Sequence, residues 1–289
     1  MFVAGIDSKG MTNAKAIDKD WKRNGAIELV KKWTLISVCL LLTFMLAIGA
    51  AANGEEPEAP QQQPSASKRV AIVIDDFGND MLGTEQMMEL PVPFAAAVMP
   101  FLPTTKRDAE WAHRLGKEVL LHVPLEPRAG KPEWLGPGAI TTRMTDDEIR
   151  KRINAAIDDV PYAVGLNNHM GSRATADERV MRIIISVCKE RGLFILDSRT
   201  TDKSVIGKLA KELGVKTVEN DLFMDDVYTR SHISKQAVKL QKLVDTSADT
   251  VVIGHVGPPG KHTADVLKRT IPVLEEQGAT FVPVSQLAQ

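Results

Sequence analysis

Three of the six histidines in this 289-residue chain stand at the ends of short apolar runs, and so do several of its carboxylates. Asp75-Asp76-Phe77-Gly78 follows RVAIVI, His122 lies in EVLLHV ahead of Glu126, and Asn167-Asn168-His169 follows YAVGL. Asp197-Ser198-Arg199 closes LFIL, Phe223-Met224-Asp225-Asp226 follows VKTVE, and His255 opens a Gly/Pro loop after TVVIG. Two neutral imidazoles and one carboxylate are a common ligand set for zinc, tolerated by other divalent metals, with positions left open for water. Asp76, His122 and His169 fill that set. The cation lowers the pKa of its water and polarises a carbonyl oxygen. Asp75 then serves as the base and His255 as the acid that protonates a leaving group. Glu126, Asn168, Asp197 and Arg199 are candidates for supporting hydrogen bonds or substrate contacts. Cysteine occurs only at 39 and 188, which excludes a cysteine-built zinc finger and a disulfide scaffold.

Each signal has a plainer reading beside it. Aspartates such as Asp75 and Asp76 also cap helices. In an extended chain the two point to opposite sides, so one ligates while the other, bent round at Gly78, approaches a water. Asp197 and Arg199 also read as a simple ion pair, and Asp225-Asp226 as loop acids. His113, His232 and His262 read as solvated or capping histidines. Trp134, in AGKPEWLGPG, is either a sugar-stacking residue or a packed loop aromatic.

The elements that must position these groups repeat from Arg69 to Gln289. Eight apolar runs, at 69–74, 94–99, 118–123, 162–166, 193–196, 215–219, 250–254 and 280–284, alternate with helix-like stretches such as TDDEIRKRINAAIDDV. Runs apolar at every position indicate strands buried on both faces, as in a parallel sheet covered by helices. The pattern predicts an α/β fold, a deformed (β/α) barrel of seven or eight parallel strands. Chemistry in such folds gathers at the C-terminal ends of the strands, where these residues fall.

Ahead of that body the chain changes character. Residues 1–32 carry seven Lys/Arg against four acids, and residues 33–52 are an uncharged run, WTLISVCLLLTFMLAIGAAA. About twenty apolar residues span a bilayer's hydrocarbon core as a helix. The basic flank predicts a body on the outer side of the cytoplasmic membrane, periplasmic or extracellular. The run is an anchor or, with small residues at Ala50-Ala51-Ala52, a cleaved signal peptide. Residues 53–68, rich in Pro, Glu, Gln and Ser, form a flexible tether. With 36 basic and 37 acidic side chains, the chain lacks the charge excess of a nucleic-acid binder.

Together IVIDDFG, HVPLEP, NNHMGSR, LDSRT and GHVGPPG resemble the divergent polysaccharide deacetylase family, a branch of the chitin and peptidoglycan deacetylase superfamily. The resemblance covers essentially all of 69–289. It implies a metal-dependent deformed barrel with an Asp-His-His site, in which Asp75 is the base, Asp76 a metal ligand and His255 the late catalytic histidine. It also implies an acetylated glycan substrate. In the wider superfamily two ligand histidines stand four residues apart, whereas here Glu126 holds that position after His122. Glu126 is therefore an alternative ligand. Two other functions stay open: a divergent barrel that only binds or regulates, and a glycosidase using Asp75 and Glu126 as paired carboxylates.

Overall fold

The computed structural model describes residues 68–289. The basic head, the apolar run 33–52 and all of the expected tether except Lys68 lie outside the described residues. Among the described residues no helix is long and apolar enough to cross a membrane.

All eight expected runs form strands. The first half of the chain gives β1 (Lys68–Phe77), α1 (Thr84–Met88), β2 (Ala95–Val98), α2 (Thr105–Arg114), β3 (Glu118–Leu125), α3 (Asp146–Asp159) and β4 (Ala163–Met170). The second half gives α4 (Glu178–Arg191), β5 (Phe194–Asp197), α5 (Ile206–Leu213), β6 (Thr217–Glu219), β7 (Leu222–Phe223), α6 (Arg230–Thr246), β8 (Asp249–His255), α7 (Gly260–Glu276) and β9 (Ala279–Phe281). The short β7 is the one strand the apolar pattern does not announce. Helix α3 begins as its sequence requires: Thr145 and Glu148 form a reciprocal capping box that satisfies two orphan backbone donors.

The strands pair in the order β6-β5-β4-β3-β2-β1-β8-β7, with β9 beside the start of β1. Every ladder between them is parallel. The row bends until its two ends become one stretch of chain. Asn220 N–H donates to Asp197 O on β5 at 2.9 Å, and Asp221 N–H to Val251 O on β8 at 3.0 Å. Strands β6 and β7 thus share one place between β5 and β8, and the barrel is deformed there.

Alternation along the strands builds two cores. Ala71, Val73, Ala95, Ala97, Leu120, Leu196, Val251 and Ile253 fill the barrel. Ile72, Ile74, Leu121, Val123, Leu166 and Val252 face the helices. Truncating a buried leucine such as Leu120 to alanine costs about 2–5 kcal/mol, through lost transfer energy and the cavity left behind. The inner set has a second consequence, because side chains repeat their direction every two residues. The same parity brings Asp75 on β1, His122 on β3, Asn167 and His169 on β4, and His255 on β8 to the inner side at the C-terminal ends.

Candidate metal and catalytic site

Asp75 continues the inward parity of β1, but Asp76 belongs by parity to the helix side. A bulge resolves this. The β1–β2 register shifts between Ile74 and Phe77, and Asp76 adopts a φ of 72°. Aspartate is among the few residues that enter this left-handed region readily. Both carboxylates therefore approach the same nitrogen: His122 Nε2 lies 3.7 Å from Asp75 Oδ2 and 3.2 Å from Asp76 Oδ1. The chain turns first at Asp76 itself and again at Gly78, whose φ is 119°. Gly78 also donates its N–H to buried Asp108 at 2.9 Å, which anchors the following loop.

Hydrogen bonds select which nitrogen each histidine presents. On paired strands His122 stands opposite Asn167. The Asn167 amide donates to Asp75 Oδ1 at 2.8 Å, so its oxygen accepts from His122 Nδ1, also at 2.8 Å. That leaves the His122 Nε2 lone pair free. His169 Nε2 lies 3.0 Å from the Trp134 carbonyl, which can only accept, so the Nδ1 lone pair of His169 is free.

The two lone pairs and Asp76 Oδ1 converge. His169 Nδ1 lies 3.0 Å from Asp76 Oδ1 and 3.2 Å from His122 Nε2. Asp76 Oδ1 is buried and receives no hydrogen bond among the described residues. Three acceptors at this spacing repel one another unless a cation lies among them. Ligand atoms bound tetrahedrally at ~2.0–2.1 Å lie about 3.3 Å apart, close to the spacing seen. The donor set therefore fits a divalent ion, and Asp76, His122 and His169 would hold it. Burial raises the Asp76 carboxyl's pKa, but the positive charge that His122 and His169 carry when protonated outweighs it and holds the group well below the usual carboxylate range. Asp75 behaves oppositely: burial pushes its pKa up, only partly offset by His122 and His255.

His255 stands directly beside Asp75 in the β1–β8 register. Its Nδ1 lies 2.7 Å from Asp225 Oδ1, while Asp225 Oδ2 accepts from the His255 N–H at 2.9 Å and from Thr263 Oγ1 at 2.6 Å. Burial lowers the His255 pKa, but the Asp225 hydrogen bond and charge, with Asp76 and Asp75, push it up to about 10. His255 is therefore a protonated imidazolium at neutral pH. Asp225, which the sequence presents as a loop acid, is fully buried and orients this ring.

These groups open into a cleft of about 870 Å³ whose lining includes Asp76, His169, His255, Trp134, Phe223 and Tyr228. Trp134 is 57% exposed, so it is a cleft-lining residue and not a packed loop aromatic.

Several candidates serve elsewhere. Glu126 Oε2 accepts from the N–H and hydroxyl of Thr142 at 2.7 Å each, and Oε1 lies 3.5 Å from Arg173. Four residues along a strand from His122 is about 13 Å, too far to share an ion. Asn168 points to the side opposite Asn167, donating to Met170 O at 2.6 Å and accepting from Ser198 N–H at 3.1 Å. Asp197 accepts from the Arg199 backbone N–H at 2.8 Å, while the Arg199 side chain lies 3.6 Å from Glu219, so the two do not form the expected ion pair. His113 stacks on Tyr162, and His232 bonds Asp226 at 2.6 Å. Asn167 and Asp225 are the site residues that the sequence reading missed.

The model of the divergent polysaccharide deacetylase family matches residues 72–288. The uncharacterized protein YibQ of Escherichia coli is 34% identical over 195 residues, spanning 68% of this chain and 60% of that protein's length. An uncharacterized Haemophilus influenzae protein is 33% identical over 193 residues, 67% of this chain and 68% of that one. In fold, the chain is similar to an uncharacterized protein of Agrobacterium tumefaciens, with a TM-score of 0.71 at 21% identity over 78% of this chain and 91% of the other. A candidate polysaccharide deacetylase of Mycobacterium smegmatis gives 0.50 at 16% identity, covering 81% and 93%. The curled parallel barrel and the match across nearly all of it lead to one conclusion: this chain belongs to the divergent polysaccharide deacetylase family.

Proposed function

We propose that the protein is a metal-dependent hydrolase that removes acetyl groups from a glycan of the cell envelope. The observation that carries this reading is the convergence of Asp76 Oδ1, His122 Nε2 and His169 Nδ1, with Asp75 and His255 beside them. A divalent cation held by the three, with zinc favoured by the two-imidazole, one-carboxylate donor set, supplies Lewis acidity toward water and the acetyl carbonyl.

The chain's own groups handle the protons. Asp75 takes a proton from the attacking water, and its raised pKa brings it closer to neutrality, where a general base works best. Asn167 holds its carboxylate by Oδ1 at 2.8 Å. His255, kept protonated by Asp225, gives its proton to the departing amine or alcohol as acetate is released. The cleft walls, with Trp134 and Tyr228 exposed, offer flat apolar surfaces suited to sugar rings. Engagement of Glu126 by Thr142 and Arg173 speaks against the paired-carboxylate glycosidase.

The proposal extends to location. The body 69–289 works outside the cytoplasmic membrane, on the tether 53–68, after export through the 33–52 segment. The test is acetate release from acetylated glycans by the full chain, with and without chelator. Release that stops on chelation and in Asp76→Ala and His169→Ala supports the reading. Stoichiometric metal without acetate release across the panel favours a glycan-binding module instead.

A further inference from the structure

The connection 126–145 between β3 and α3 is long for a barrel loop, a class that usually carries function. Its base is well held. Leu125 bridges Ile140, Glu126 N–H donates to Ile140 O at 3.0 Å, and Ile140 N–H donates to Pro124 O at 2.9 Å. Its tip is not: between 127 and 139 none of the described side chains is buried. Hydrogen bonds hold this stretch to the body, from Arg128 N–H to Ser172 Oγ, from Arg152 to Ala139 O, and from His169 Nε2 to Trp134 O, each 3.0 Å. A segment with so little buried apolar surface sits at the low end of local stability.

Trp134 meets the site from both of its ends. The residue is 57% exposed and lines the cleft. Its carbonyl is the acceptor that keeps the His169 proton on Nε2 and so turns the Nδ1 lone pair toward Asp76. Lifting the tip removes that acceptor, and the His169 ring is then free to change tautomer or rotate.

We propose that Trp134 is a positioning residue that couples glycan seating to metal retention. A sugar resting on the indole holds the tip against the barrel, and the tip's carbonyl holds His169 in its ligating form. The proposal rests on the deacetylase reading above. Coupling of this kind is reciprocal, so a glycan that tightens metal binding is itself tightened by metal to the same factor.

The test uses zinc and the β-1,4-linked tetramer of N-acetylglucosamine as probes on the full chain. Zinc affinity is measured by competition with a chromophoric chelator, with and without the tetramer. Replacing 129–137 by two glycines removes the carbonyl and should lower zinc affinity about 10–100-fold, as loss of a hydrogen bond behind a metal-bound histidine does. Circular dichroism checks that the barrel persists in this variant. The tetramer should strengthen zinc binding by the native chain. Trp134→Ala, which keeps its carbonyl, should abolish the strengthening, and Trp134→Phe should restore it. Unchanged zinc affinity in the loop replacement, or strengthening that survives in Trp134→Ala, overturns the proposal. Coupling without acetate release defeats the deacetylase reading alone, and acetate release without coupling defeats this inference alone.

Discussion

Asp225 and His255 form a buried carboxylate–imidazole pair, with Asp225 Oδ1 2.7 Å from His255 Nδ1. The pair leaves Nε2 as the ring's remaining proton donor and explains why the His255 pKa rises to about 10. Asp225→Asn should therefore move the alkaline limb of the kcat/KM profile down from about 10 toward the ordinary histidine range. Loss of a general acid costs ~10²–10⁴-fold, so activity above that new limb should fall by this order. An alkaline limb that does not move would show that His255 is not the titrating acid.

The same pair links folding to pH. His255 has a folded pKa of about 10, above its ordinary value of 6.5. Its contribution to stability is fully present below pH 6.5 and is lost as pH rises through about 10. Urea unfolding of the native chain and His255→Gln should converge at high pH and differ at pH 6. A difference that persists unchanged above pH 10 would contradict the linkage.

Asn167 ties Asp75 to His122 through one amide. Asn167→Leu leaves both partners without that bond and lets His122 place its proton on Nε2. Zinc affinity should fall about 10–100-fold, the usual cost of losing the partner behind a metal-bound histidine. Isothermal titration checks this, and Asn167→Ala should behave alike.

Glu126 supplies a contrast. Its carboxylate accepts from Thr142, so Glu126→Gln, which keeps an acceptor oxygen but loses the charge, should leave zinc affinity intact and cost no more than about 1.5–3 kcal/mol of stability, the range for hydrogen bonds to charged groups. A large loss of metal in this variant would restore Glu126 as a ligand.

The barrel was legible because two-sided burial makes the strands apolar at every position, and the strand ends then marked the site. Asn167 was also within reach, because it lies two residues before His169 and shares its parity, whereas Asn168 faces the other way. Asp225 was hidden because β6 ends at Glu219 and the chain shifts sideways at Asn220-Asp221 into the two-residue β7. No periodicity survives such a shift. The bulge that turns Asp76 inward depends on a positive φ that only the surrounding packing imposes.

The most direct measurement is anomalous diffraction from crystals of the full chain grown with zinc. The account predicts one ion within about 2.0–2.2 Å of Asp76, His122 Nε2 and His169 Nδ1. An ion bound elsewhere, or none between these three side chains at saturating zinc, would contradict it.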